Sequence, residues 1–66
     1  MILWRLQGVS ADFVCSIEKG RRGYRLVVRS ATTTIVDDVL PDVARARWKA
    51  DLIRTELLEL GYTTPT

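Results

Sequence analysis

The sequence contains no histidine and a single cysteine, and these two shortages exclude several kinds of chemistry. Without histidine there is no Ser-His-Asp or Cys-His arrangement and no imidazole to act as acid or base. Cys15 has no second thiol for an intrachain disulfide or a zinc site, and it shares a predicted apolar face with Phe13 and Ile17, where thiols are inert. We therefore expect a protein that is not an enzyme and that uses no metal or cofactor.

Long apolar runs are also missing. Every uncharged apolar run is far shorter than the roughly 20 residues that span a bilayer, and no basic segment followed by an apolar stretch indicates a signal peptide. Hydrophobic residues make up 47% of the chain and charged residues 27%, which is typical of a globular protein. We expect a cytoplasmic protein without membrane contact. Its 66 residues allow one domain and a marginal core, which favours a homodimer.

Four segments of the first half alternate apolar and polar residues or are rich in strand formers, and each is predicted to be a β-strand. They cover residues 2–7, 11–19, 24–29 and 32–36. Two glycines in residues 20–23 indicate a hairpin loop between the second and third strands. The register of the fourth strand stays open, because neither of its two faces is clearly the apolar one.

The second half follows a helical period. After Pro41, apolar residues recur at spacings of 3, 4, 3, 4 and 3, and the stripe consists of Val43, Ala46, Ala50, Ile53, Leu57 and Leu60. Gly61 is predicted to end the helix in a left-handed conformation, with Tyr62 closing the apolar contact of a Schellman motif. We interpret Asp37, Asp38 and Asp42 as solvated acids around the start of the helix.

These elements predict an α+β fold in ββββα order, in which one C-terminal helix packs on one face of a four-stranded antiparallel sheet. The predicted domain covers residues 1–62, and residues 63–66 are expected to form a flexible tail.

Two surfaces are candidates for a protein partner. Trp48 and Leu52 lie four residues apart on a helix side away from the apolar stripe, where they expose apolar surface unless the sheet edge covers them. The alternation of the strands predicts an aliphatic patch of Leu3, Val14 and Val27 on the outward face of the sheet. The function predicted from these surfaces is a small non-enzymatic protein-interaction module that binds a second copy of itself or another protein.

Nucleic-acid binding is the alternative function. Residues 1–30 carry a net charge of +4 (six basic, two acidic), whereas residues 31–66 carry −2 (four basic, six acidic). The predicted contacts are outward arginines of the sheet and two arginines of the hairpin loop, namely Arg5, Arg25, Arg29, Arg21 and Arg22. In the order of its elements the chain resembles the whirly-type and Pur-type single-strand-binding domains, which implies a similar use of the sheet.

The aromatic residues of the strands count against this alternative. Binders of single strands stack bases on exposed aromatic rings. Here Trp4, Phe13 and Tyr24 are predicted to point inward.

Overall fold

The computed structural model describes residues 1–65, and within them it contains four strands and one helix. They are β1 (Ile2–Gln7), β2 (Asp12–Gly20), β3 (Gly23–Arg29), β4 (Thr34–Leu40) and α1 (Val43–Glu59). The strands are antiparallel neighbours in chain order, because each is joined to the next by a short connection. The helix packs across one face of the sheet. The predicted α+β fold is confirmed.

The core lies between this face of the sheet and the helix. Its buried cluster combines side chains of the first three strands with two of the helix, namely Leu6, Phe13, Cys15, Leu26, Val28, Ala50 and Leu57. Ala46 and Ala50 are 0% and 1% exposed, so the helix meets the sheet through its smallest side chains. The indole Nε1 of Trp4 donates to the carbonyl oxygen of Ala50 at 3.2 Å and joins the first strand to the helix.

Both ends of α1 are closed by specific hydrogen bonds. Asp42 is the N-cap, and its Oδ1 accepts from the backbone N–H of Arg45 at 2.8 Å. At the other end Gly61 has a φ of 104°, and the N–H of Tyr62 donates to the carbonyl of Leu57 at 3.1 Å. This is the predicted Schellman motif. Tyr62 also packs edge-on against Phe13, with ring centroids 5.3 Å apart.

The fourth strand was predicted two to four residues too early. It covers Thr34–Leu40 rather than residues 32–36, and its register faces Val28 with Val36 and Leu26 with Asp38. Val36, Asp38 and Leu40 therefore point towards the helix. The prediction stopped at Val36 because two consecutive aspartates disfavour a strand. In the fold both are held by basic partners, so the strand continues through them.

The first strand contains a β-bulge, which interrupts the alternation of inward and outward side chains. The pairing register shifts between Ile2 and Trp4, so that Ile2 faces Ser16 while Trp4 faces Cys15. The extra residue, Leu3, packs partly against the core cluster, whereas Ile2 lies on the outward face. The prediction that Leu3 points outward is thus wrong, because a bulge reverses the alternation ahead of it.

The chain after the helix returns to the free edge of β1. Thr63 and Gln7 exchange two backbone hydrogen bonds of 2.8 and 2.9 Å, forming an isolated antiparallel bridge. Thr63, the first residue of the predicted tail 63–66, is thus hydrogen-bonded to β1, and Thr66 lies outside the described residues.

The hairpin between β2 and β3 provides a stability test, because Gly20 and Gly23 face each other across it. Gly23 has a φ of 142°, and a Cβ there would overlap the backbone carbonyl of Leu40. At Gly20 an added Cβ would meet its nearest atom at an ordinary 3.6 Å. We expect Gly23→Ala to lower the free energy of unfolding by about 2–4 kcal/mol in urea denaturation. The matched control, Gly20→Ala, should stay within about 0.5 kcal/mol, and equal losses would contradict this geometry.

Candidate interaction surfaces

The outer side of α1 carries the two most exposed large hydrophobic side chains of the helix. Trp48 is 66% exposed and Leu52 is 45% exposed, while Ala46 and Ala50 on the opposite side are buried. The sheet edge therefore does not cover these two predicted interface residues. They belong to a row with spacings of 3, 4, 3 and 4, which we call the outer stripe: Arg45, Trp48, Leu52, Thr55 and Glu59. This is the spacing with which one helix packs along another.

Charges on this helix run against its dipole. The first turn contains no acidic residue and the last turn no basic one, although acids are favoured at the N-terminus and bases at the C-terminus. Instead Arg45 lies in the first turn, and Glu56 and Glu59 lie in the last. Each such placement costs an isolated exposed helix about 0.3–1 kcal/mol. Asp42, the N-cap just before this turn, partly offsets the placement of Arg45, because its carboxylate lies 3.5 Å from the Arg45 Nε. The last turn, with Glu56 and Glu59, contains no basic residue that would do the same.

The outward face of the sheet is charged in both signs. Cross-strand registers place three arginines and three acids there, namely Arg5, Arg25, Arg29, Asp12, Glu18 and Asp37. Their formal charges sum to zero. Arg25 donates to Asp37 through Nε at 2.8 Å and Nη2 at 2.6 Å, and it faces Glu18 across the β2–β3 pair. The face predicted to be cationic for nucleic acid therefore carries no net formal charge, and Asp37, whose strand register was not predictable, supplies one of the three acids.

The aliphatic patch expected on this face is small. Val27 is only 6% exposed although it points away from the helix, and Val14 is half-buried. Leu3 lies apart from both: it lines a groove between β1 and the helix together with Trp4 and Ala50. The three predicted residues therefore do not form one continuous exposed surface.

Arg21 and Arg22 form the exposed turn of the β2–β3 hairpin. They stand apart from Arg5 and Arg29, which flank Val14 in one cross-strand row of the outward face. The nucleic-acid alternative now depends mainly on the two loop arginines.

The three aspartates near the helix start have three separate tasks. Asp37 points outward to Arg25, Asp38 points inward and accepts from Lys49 Nζ at 2.5 Å, and Asp42 caps the helix. The hydrogen bonds from Arg25 and Lys49 lower the pKa values of Asp37 and Asp38 below the ordinary range. The bond between Asp38 and Lys49 joins the edge strand to the helix.

Cys15 lies in the centre of the core with no exposed surface. Desolvation by burial raises the pKa of its thiol to about 11, which keeps it protonated at neutral pH.

No family model, no curated protein and no solved structure matches this chain. Within residues 1–65, α1 is neither long nor apolar enough to cross a membrane.

Acid should weaken the fold through Asp37 and Asp38. Their pKa values are lower in the folded chain than in the unfolded chain, so both contributions are complete at neutral pH and are lost as the pH falls through the folded values. We expect the double variant Asp37→Asn/Asp38→Asn to lose less unfolding free energy than the parent between pH 7 and about pH 3 in urea titrations. The control Asp51→Asn/Glu56→Gln should keep the parent's slope. An unchanged slope in the aspartate variant would contradict the two ion pairs.

Mobility-shift assays with single-stranded and duplex nucleic acid at low salt test the alternative function. Because the charges of the outward face cancel, we expect no shift with either ligand. A shift that the double variant Arg21→Ala/Arg22→Ala abolishes would instead support nucleic-acid binding through the loop.

Proposed function

We propose that this chain is a small non-enzymatic protein-interaction module that self-associates through the outer stripe of α1. The observation that carries the proposal is the exposure of Trp48, which lies opposite the buried alanines and leaves 66% of its surface in water. Tryptophan is the residue type most enriched at the energetic centres of interfaces. Leu52, one turn further on, extends the same apolar surface.

The free energy gained by burying the exposed apolar side chains of the outer stripe is compatible with a weak, reversible dimer. Burying the exposed part of Trp48 and Leu52 contributes about 2–4 kcal/mol in each copy. Association costs about 4–15 kcal/mol in lost translational and rotational freedom, which offsets much of this gain. The most favourable combination, about 8 kcal/mol from two copies against a cost of about 4 kcal/mol, corresponds to a dissociation constant of about 1 mM. These two side chains alone therefore support a dimer in the millimolar range, and the contacts around them have to supply any tighter binding.

The proposed location is the cytoplasm. The thiol of Cys15 is free and buried, which suits a reducing compartment.

Light scattering over a concentration series tests self-association directly. We expect the mass of the parent to rise towards that of a dimer with concentration, and Trp48→Ala to raise the dissociation constant at least about tenfold, because the substitution removes the largest apolar surface of the stripe.

The matched control is Val39→Ala on the outward face of the sheet. Val39 is 57% exposed, so its substitution also removes exposed apolar surface, and it should leave the dissociation constant unchanged. A parent that stays monomeric at millimolar concentration would overturn the proposed function. A dimer weakened by Val39→Ala but not by Trp48→Ala would move the interface to the sheet.

A further inference from the structure

We propose that two copies pair their α1 helices antiparallel about a two-fold axis at Leu52, so that Arg45 of each copy faces Glu59 of the other. This inference rests on the proposed function and specifies its partner as a second copy in one defined orientation.

The positions of the charges around Leu52 suggest this arrangement. Arg45 and Glu59 lie seven residues before and after Leu52, on the same side of the helix. Seven residues are two turns, or about 10.5 Å along the axis. When an identical helix lies antiparallel with Leu52 opposite Leu52, a residue seven positions before the centre faces one seven positions after it. Two symmetric pairs of opposite charge result.

A parallel pair in the same register would have the opposite effect. It would place Arg45 beside Arg45 and Glu59 beside Glu59, and like charges at that distance repel. The charge order of the stripe therefore selects the antiparallel orientation.

The same arrangement relieves the unfavourable charges of the isolated helix. Arg45 occupies the first turn, where an acid is favoured, and Glu59 occupies the last turn, where a base is favoured. In the antiparallel pair, Glu59 of the second copy lies beside the N-terminal turn of the first, and Arg45 of the second copy lies beside its C-terminal turn. The second copy thus adds an acid beside the N-terminal turn, where Asp42 is already present as the N-cap, and provides the base that the C-terminal turn lacks.

Trp48 lies four residues, about one turn, from the proposed axis. The two indoles would then flank the central pair of leucines, and the apolar centre of the interface would lie between the two charged pairs. This order of an apolar centre and a charged rim is usual in protein interfaces.

Charge exchange tests the orientation. We expect Arg45→Glu and Glu59→Arg each to weaken the homodimer about tenfold at low ionic strength, because each replaces two attractive pairs by two repulsive ones. The double variant Arg45→Glu/Glu59→Arg should recover the parent's dissociation constant within about twofold. Equimolar mixing of the two single variants should give a heterodimer more stable than either homodimer, as measured by analytical ultracentrifugation.

Glu59→Arg separates weaker dimerisation from misfolding, because it places the charge that the helix dipole favours at the C-terminal end and should leave the isolated helix as stable or more stable. Arg45→Glu gains the same dipole interaction at the N-terminal end, but it loses the 3.5 Å ion pair with Asp42 and sets two acids three residues apart. Circular dichroism melts at a concentration below dimerisation check this. Arg21→Glu, in the exposed hairpin turn, is the control for the change of net charge and should leave the dimer intact.

Disulfide trapping tests the position of the axis. Leu52→Cys should form a covalent dimer under mild oxidation, since residues at a two-fold axis face each other within the roughly 4.4–6.8 Å between Cα atoms that a disulfide needs. Arg45→Cys should not, because its two copies would lie about 21 Å apart along the axis. The native Cys15 is fully buried and should not react.

The outcomes separate this inference from the proposed function. One set of results would overturn the antiparallel pair and leave self-association standing. In it, the parent dimerises and Trp48→Ala weakens the dimer, but the double charge variant does not recover the parent's affinity and Arg45→Cys forms a covalent dimer. A parent that stays monomeric would overturn both.

Discussion

A single helix has to cover a sheet of four strands, and most features of this fold depend on that constraint. A helix is about 10 Å across, whereas four strands spaced 4.8 Å apart make a sheet roughly 15 Å wide. The helix meets the middle of the sheet through Ala46 and Ala50. Larger side chains cover the rest of the core: Trp4 lies along one side of the helix, and Tyr62 lies at its C-terminal end. With only two layers, the outward face of the sheet and the outer side of the helix both remain in water. On the sheet, charged side chains surround the almost fully buried Val27, although Val39 is also exposed there. On the helix, Trp48 and Leu52 stay exposed in one row.

The edges of the sheet are protected against pairing with another chain. On β4 an inward-pointing charge, Asp38, and a register shift after Thr34 disfavour a further strand. On β1 the bridge from Thr63 to Gln7 already uses part of the edge, and continuing that pairing would bring Pro65, which has no N–H to donate, opposite Arg5. Edge pairing is disfavoured on both sides of the sheet, so two copies have to associate through a face. This favours the exposed face of the helix that carries Trp48.

Sequence alone predicted the parts of the fold that depend on local patterns. The helix, its Schellman end at Gly61 and the succession of four antiparallel strands along the chain all follow from spacing and turn residues that act within a few positions. The errors arose where one residue's conformation depends on a distant partner. The bulge at Leu3 becomes visible only when β1 is paired with β2. In strand β4, Asp37 and Asp38 lie in the strand against their local preference and pair there with Arg25 and Lys49. Neither the β1–β2 pairing nor the two ion pairs can be recognised from the alternation within one segment.

The candidate site on the helix was also predicted only in part. Trp48 and Leu52 were predicted from helical spacing, and their exposure agrees with it. The flanking charges, Arg45 and Glu59, lie in the same row and are equally local, but the predicted surface was defined by its apolar residues and did not include them. Their signal is that both oppose the helix dipole. Arg45 at the start of the outer stripe, which Asp42 offsets only in part, and Glu59 at its end are unfavourable to a helix alone. They become complementary when a second helix runs the other way. Charges that weaken an isolated element therefore indicate an absent partner more specifically than exposed apolar surface does, since they also define its direction.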